Sequence, residues 1–259
     1  MKNDPWAQLA IHVSTRHCDM TVLRERGNDV IIARVKAPNG NSVIVKCWNR
    51  RGLRGALRRL TRSNIGWREF TALRRLRQAG IPCPEPIAYR VLPRSGKARH
   101  TEALVSGDLG PCGDATERLK HLLKTDPDAA RAFDLELIRA TAAMISRGLI
   151  DTDHRLPNFV IPPGGGPVRI DFELCIPVSH VSLHPKRLGE MLGTFLGSYV
   201  FAVQPDTAHA TSFARELLAR VAPPASALPI ASAVIHRMLN RQRLESGIDT
   251  RFDLLELLP

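Results

Sequence analysis

Two β-branched runs on either side of an Asn-Gly turn constrain this chain more than any other feature. Val30–Lys36 (VIIARVK) and Ser42–Trp48 (SVIVKCW) are joined by Ala37-Pro38-Asn39-Gly40. Val and Ile suit a pleated, half-buried surface, and Asn-Gly takes the positive φ angles of a tight hairpin turn. The spacing predicts a β-hairpin, with a weaker strand candidate before it at Asp19–Glu25. A helix is expected over Trp67–Ala79, with Phe70, Leu73 and Leu76 on one face, Gly80 beyond its end and Pro82 as a stop. Ile81-Pro82-Cys83-Pro84-Glu85-Pro86 excludes regular structure. Further strands are expected at Ile87–Leu92 and Thr101–Ser106, the second ending in Gly107-Asp108-Leu109-Gly110, which reads as a hinge.

Beyond that hinge the pattern turns helical. Asp114 with Glu117 three residues on resembles a capping box for a short helix to Lys124. Asp126-Pro127 opens a longer helix to about Arg147, closed by Gly148. Asn158–Ile161 and Val168–Phe172 read as short strands joined by a Pro-Pro-Gly-Gly-Gly-Pro turn. From about Lys186 the chain reads as helices, broken near Pro205 and at Pro223-Pro224. The fold class expected is α+β, with a small β-rich lobe carrying one helix over residues 1–107 and a larger helical lobe over residues 108–259.

Charge is unevenly distributed. The chain of 259 residues carries a net +12, but residues 1–100 hold 21 Lys+Arg against 6 Asp+Glu, and the remainder 16 against 19. Between Arg50 and Arg77 ten arginines face one acid, Glu69. A field of that density attracts polyanions such as phospholipid head groups, phosphorylated glycolipid or nucleic acid. Trp6, Trp48 and Trp67 do not interleave with basic residues as a base-stacking platform would, so nucleic acid is not the partner expected. No run approaches the roughly 18–20 apolar residues of a membrane span, and Met191–Val203 reads as a buried core helix. The five scattered cysteines form no CxxC pair, and the N-terminus has no apolar signal region. Both point to reduced thiols and a cytoplasmic protein.

The chemistry-bearing pattern lies at Asp151-Thr152-Asp153-His154-Arg155-Leu156-Pro157-Asn158, followed by Val168-Arg169-Ile170-Asp171-Phe172-Glu173. Asp153 and Asn158 are five positions apart, and Asp171 follows Asn158 by thirteen, across one hairpin. That is the spacing of the protein-kinase catalytic loop and its metal-binding Asp. In such a set Asp153 accepts the proton of an acceptor hydroxyl, while Asn158 and Asp171 hold Mg²⁺ against nucleotide phosphates. Upstream, Val43-Ile44-Val45-Lys46 resembles the V-A-I-K strand, whose Lys binds the α- and β-phosphates and needs an acidic partner from the next helix. Glu69 is the only acid between Lys46 and Glu85. Gly164-Gly165-Gly166 reads as a hairpin turn, because a phosphate loop would need a helix and a Lys after it.

On these residues the chain resembles the lipopolysaccharide kinase group, which includes the Kdo kinase and the core heptose kinases. The resemblance is carried by Val43–Lys46, Trp67-Arg68-Glu69-Phe70, Gly80–Pro86, Ala103-Leu104-Val105-Ser106 into the hinge, Asp153–Asn158 and Ile170–Glu173, and covers about residues 20–200. It implies a bilobal protein-kinase-like fold, ATP and Mg²⁺ as cofactors, and a sugar hydroxyl of a glycolipid as acceptor. The expected location is peripheral, on the inner face of the cytoplasmic membrane. The nucleotide side would be Lys46, Glu69, Val105 and Gly107. Asp151 departs from the family, which has His before the catalytic Asp. Arg155 stands where protein Ser/Thr kinases keep a Lys near the γ-phosphate and is expected as a phosphate clamp. Glu173 replaces the Gly of D-F-G, and Glu25–Asp29 offers one glycine where a phosphate-covering loop has three. These departures leave open a second reading, a catalytically weak scaffold of the same fold, and a third, a kinase for another small molecule.

Overall fold

The structure is a computed structural model that describes residues 4–27, 29–49, 64–93, 100–247, 250 and 252–257. Of the arginine-rich run from Arg50 to Arg77, residues 50–63 lie outside the described residues, as does Asn28 within Glu25–Asp29. The chain divides into two compact units, Met1–Gln78 with Cys83–Leu109, and Ala79–Pro82 with Gly110–Pro259. The fold is mixed α+β, with an antiparallel sheet in the first unit and most of the helices in the second.

The first unit begins with a helix, α1 (Pro5–Thr15), where the sequence reading had only strands. The signal was present in Asp4-Pro5. Asp4 caps the helix, its carboxylate accepting from the amides of Trp6 and Ala7 at 3.0 and 3.2 Å, and Pro5 sits in the first turn, where its missing N–H costs nothing. Five strands follow, β1 (Met20–Arg26), β2 (Val30–Lys36), β3 (Ser42–Trp48), β4 (Pro86–Val91) and β5 (Glu102–Gly107), in the spatial order β1-β2-β3-β5-β4. The expected hairpin is β2–β3, running in register from Val30↔Trp48 to Lys36↔Ser42.

Alternation gives the sheet two different faces. Ile31, Ala33 and Val35 from β2, Val43, Val45 and Cys47 from β3, and Ala103 and Val105 from β5 pack with Leu9, Ala10 and Val13 of α1 in one core. Each such Val, Ile or Leu contributes about 1.5–3 kcal/mol on burial. The helix expected after β3 is α2 (Ile65–Gln78), ended by Gly80 at φ +71°. Its buried stripe runs through Ile65, Glu69, Ala72, Leu73 and Leu76. Phe70, expected on that stripe, is half-buried beside Trp67 and Tyr89 instead. A carboxylate therefore occupies a core-facing helix position, which requires a partner.

The second unit contains α3 (Ala115–Thr125) and α4 (Pro127–Ser146), capped by Asp114 and Asp126 as expected. It continues with α5 (Pro185–Val203), α6 (Thr207–Val221) and α7 (Leu228–Ser246). Short strands accompany the helices: β6 (Gly113–Asp114), just ahead of α3, forms one sheet with β8 (Phe159–Ile161) and β9 (Val168–Arg169), and between α4 and α5 β7 (Leu149–Asp151) also pairs with β10 (Cys175–Pro177). The β7–β10 pair was not expected from sequence. The strand expected over Val168–Phe172 stops at Arg169, because Asp171 takes a left-handed φ of +64° that a strand does not allow. Asn158, expected in a strand, lies in a single 3₁₀ turn (Leu156–Asn158). Gly165 N donates to Pro162 O at 3.0 Å in the glycine-rich turn between β8 and β9. All five cysteines are free thiols, and among the described residues no helix is long and apolar enough to cross a membrane.

The core of this unit rests on α5, which is buried along almost its whole length. Tyr199 stacks on Phe213 of α6 with ring centres 3.6 Å apart. On its other side Gly189, Gly193 and Gly197, spaced by four, meet α7. A Cβ at Gly193 would lie 2.6 Å from the Ala231 carbonyl and 2.7 Å from Val234 Cβ, whereas the atoms nearest one at Gly197 belong to the Met238 side chain, the sulfur at 2.8 Å. Gly193→Ala should therefore lower stability by about 1–3 kcal/mol, the overpacking cost exceeding the ~1 kcal/mol gain in helix propensity. Gly197→Ala should be near neutral, because a methionine side chain can move aside. Urea denaturation of the two variants checks this, and equal stabilities would mean that backbone contact does not limit the α5–α7 approach.

Candidate active site

The residues singled out from sequence fall in both units. In the first, Lys46 lies on β3 between Ile32 of β2 and Leu104 of β5, on the sheet face opposite α1. Its Nζ donates to Glu69 Oε1 of α2 at 2.7 Å. The two side chains are 12% and 3% exposed. The carboxylate on the α2 stripe thus meets the one ammonium on the strand it faces, and each group answers the other's burial. Gly107 N donates to Glu85 O at 2.8 Å at the end of β5. Val105 turns its side chain into the α1 core, and Leu104 shares a face with Lys46. The exit of β5 is held by Asp108, which forms an ion pair with Arg34, accepting from its Nη2 at 3.1 Å, and accepts the Ser42 hydroxyl at 2.7 Å.

In the second unit, the turn after β7 brings Asp153 and Asn158 together. Asn158 Nδ2 donates to the Asp153 carbonyl at 2.9 Å and to Asp153 Oδ2 at 3.1 Å. Both acceptors fix the amide so that its oxygen points away from Asp153. Arg155 Nε lies 3.2 Å from Asp153 Oδ1, in a half-exposed pair. Asp153 N donates to Asp151 Oδ1 at 3.0 Å, which closes the turn from the other side. Asp171 follows directly on Ile170, whose amide donates to the Asn158 carbonyl at 2.9 Å. The four site residues of this unit are therefore tied to one another through side chains or adjacent backbone. The positive φ of Asp171 is the kind of strain that persists only where surrounding structure over-determines it.

Sequence reasoning missed what lies beneath this turn. Arg169 on β9 is 2% exposed, and its Nη2 donates to Asp151 Oδ2 at 3.0 Å. Its Nε donates to His154 Nδ1 at 3.3 Å. Because a guanidinium only donates, Nδ1 accepts and the imidazole proton sits on Nε2. His154 Nε2 is 2.9 Å from Thr141 Oγ1, and that hydroxyl donates to the Leu137 carbonyl at 2.9 Å. Burial, and secondarily the Arg169 charge, hold the His154 pKa well below its usual value, so the ring is neutral. Burial also pushes the Asp151 carboxyl up, against the pull of Arg169. The signal in the sequence was an arginine inside an otherwise apolar Val-Arg-Ile strand, with Asp151 still without a role.

The buried neutral His154 has a consequence for stability. The unfolded chain binds a proton at this side chain below about pH 6.5, and the folded chain does not. Its contribution to stability is therefore complete above that pH and is lost as pH falls below it. Between pH 6.5 and 5.5 wild type should lose about 1 kcal/mol more than His154→Asn. Denaturant titrations at the two pH values measure this, and parallel losses would mean that His154 is protonated in the folded protein.

No protein-family model matches the chain, and no curated protein matches it.

Proposed function

We propose that the protein is an ATP-dependent, Mg²⁺-requiring phosphotransferase of protein-kinase-like fold, acting on a sugar hydroxyl, with a glycolipid of the lipopolysaccharide inner core as the acceptor class. The observation that carries this reading is the Lys46–Glu69 contact at 2.7 Å, between a strand lysine and the helix acid that follows it. A solvated surface has no need of such a pair, whereas a lysine that must meet phosphates needs its ammonium held in place. The sheet order, with α2 joining β3 to β4, supports the same fold reading.

The roles follow from chemistry. Asp153 accepts the proton of the acceptor hydroxyl, oriented by Asn158 Nδ2 and by the Asp151 contact to its amide. The Asn158 amide oxygen and the Asp171 carboxylate are hard oxygen donors of the kind Mg²⁺ takes, and the fixed Asn158 amide suits that use. When bound, Mg²⁺ neutralises charge developing on the transferred phosphoryl group. Lys46 meets the α- and β-phosphates. Arg155, held to Asp153 in a half-exposed pair worth no more than about 1 kcal/mol, exchanges that partner for phosphate. The excess of positive charge in residues 1–100 supports an anionic membrane surface as the place of work, on the inner face of the cytoplasmic membrane.

Purified protein with Mg²⁺ and ATP should transfer phosphate to a lipid-core acceptor, and turnover should stop without the acceptor. Failure with core acceptors but turnover of another small alcohol would move the acceptor class and leave the phosphotransfer reading standing. Asp153→Asn should lower kcat on the order of 10²-fold or more, with ATP binding by calorimetry little changed. Near-wild-type turnover would remove Asp153 from the role of base. Lys46→Ala and Glu69→Gln should each cost most of the activity, and the double variant little more than the worse single. Additive losses would mean that the two residues do not act as one unit.

A further inference from the structure

The reading above leaves unused the one fully buried guanidinium among the described residues of the second unit. We infer that Arg169 is the positioning residue of the Asp153–Asn158 turn, with Asp151 as its counter-ion. The chemistry it serves rests on the phosphotransfer reading, but the hold itself does not.

One planar group donates to four partners on one stretch of chain. Nη2 donates to Asp151 Oδ2 at 3.0 Å and to the Asp153 carbonyl at 3.1 Å. Nη1 donates to the Asn158 carbonyl at 3.4 Å, and Nε to His154 Nδ1 at 3.3 Å. The turn is thereby fixed at Asp153, at His154 and at Asn158 by donors whose mutual geometry cannot change. The guanidinium also lies 5.1 Å from the Phe172 ring centre and 6.0 Å from that of Phe159, so one ring from β8 and one from the segment after β9 limit its own movement. Arg169 pairs with Phe159 in register and stands two residues before Asp171, so the same residue anchors the strand that delivers the second carboxylate.

Fold stability alone does not account for this arrangement. A buried ion pair is a poor stabiliser, because well-packed apolar side chains of the same volume do as well or better. What apolar side chains cannot do is donate to the carbonyls of Asp153 and Asn158. Those bonds set the directions in which the Asp153 carboxylate and the Asn158 amide project. A displacement of about 1 Å in such groups is enough to cost 10²-fold in rate.

Two variants test this. Arg169→Lys keeps a cation against Asp151 but has one nitrogen where three are used. Asp151→Leu with Arg169→Met removes both charges and fills the volume, so that no buried charge is stranded. In either, kcat for phosphate transfer should fall on the order of 10²-fold while KM for ATP stays within roughly threefold. Amide exchange at His154, Asn158 and Ile170 should quicken about tenfold relative to α5 amides. Unchanged exchange overturns the inference whatever happens to turnover, as does a raised KM with kcat intact. Failure of both variants to fold would also overturn it, assigning Arg169 to the fold and not to the turn. Absence of turnover in wild type would defeat the phosphotransfer reading, and the exchange measurement would then decide the hold of Arg169 by itself.

Discussion

A guanidinium taken out of water must find acceptors for its donors, and the loop of the second unit is organised around meeting that demand for Arg169. Asp151 supplies charge, His154 supplies a ring nitrogen, and the backbone supplies two carbonyls. Each of these has a further obligation. Asp151 accepts the Asp153 amide, and His154 donates its Nε2–H to the Thr141 hydroxyl oxygen of α4. The turn therefore has a defined shape without regular secondary structure over Thr152–Arg155. It also explains why Asp151 is an acid: a neutral residue there would leave the arginine uncompensated.

The same logic operates once more in the first unit, at smaller scale. The sheet has a face of small aliphatic residues under α1 and a face that carries Lys46. Glu69 lies on the buried stripe of α2 and is 2% exposed, a position where an unpaired carboxylate costs several kcal/mol. The Lys46 bond relieves that cost and at the same time fixes the ammonium. A pair of this kind sets the register of helix against strand as much as it stabilises either.

Much of this was legible in the sequence. The β2–β3 hairpin follows from β-branched runs and Asn-Gly, and the starts of α3 and α4 from Asp114 and Asp126-Pro127, because turns and caps are decided within a few residues. Lys46 and Glu69 were paired by elimination, since only one acid lay within reach. Less visible were α1, whose apolar residues become a stripe only when the sheet lies beneath them, and β7–β10, three-residue strands whose pairing joins segments more than twenty positions apart. No local pattern reports a partner at that distance.

By itself the sequence determined the local elements, the order of the acids and the lysine along the chain, and the five-residue interval that lets Asn158 reach back to Asp153. Only the tertiary structure decided that Val105 faces the α1 core, that Glu69 and not Phe70 lies on the buried stripe of α2, and that Arg169 sits beneath the turn. Periodicity gives which residues share a face, but which face is covered depends on the neighbour that packs there. A buried charge is recognised only when the partners that make its burial tolerable have been brought together from distant parts of the chain.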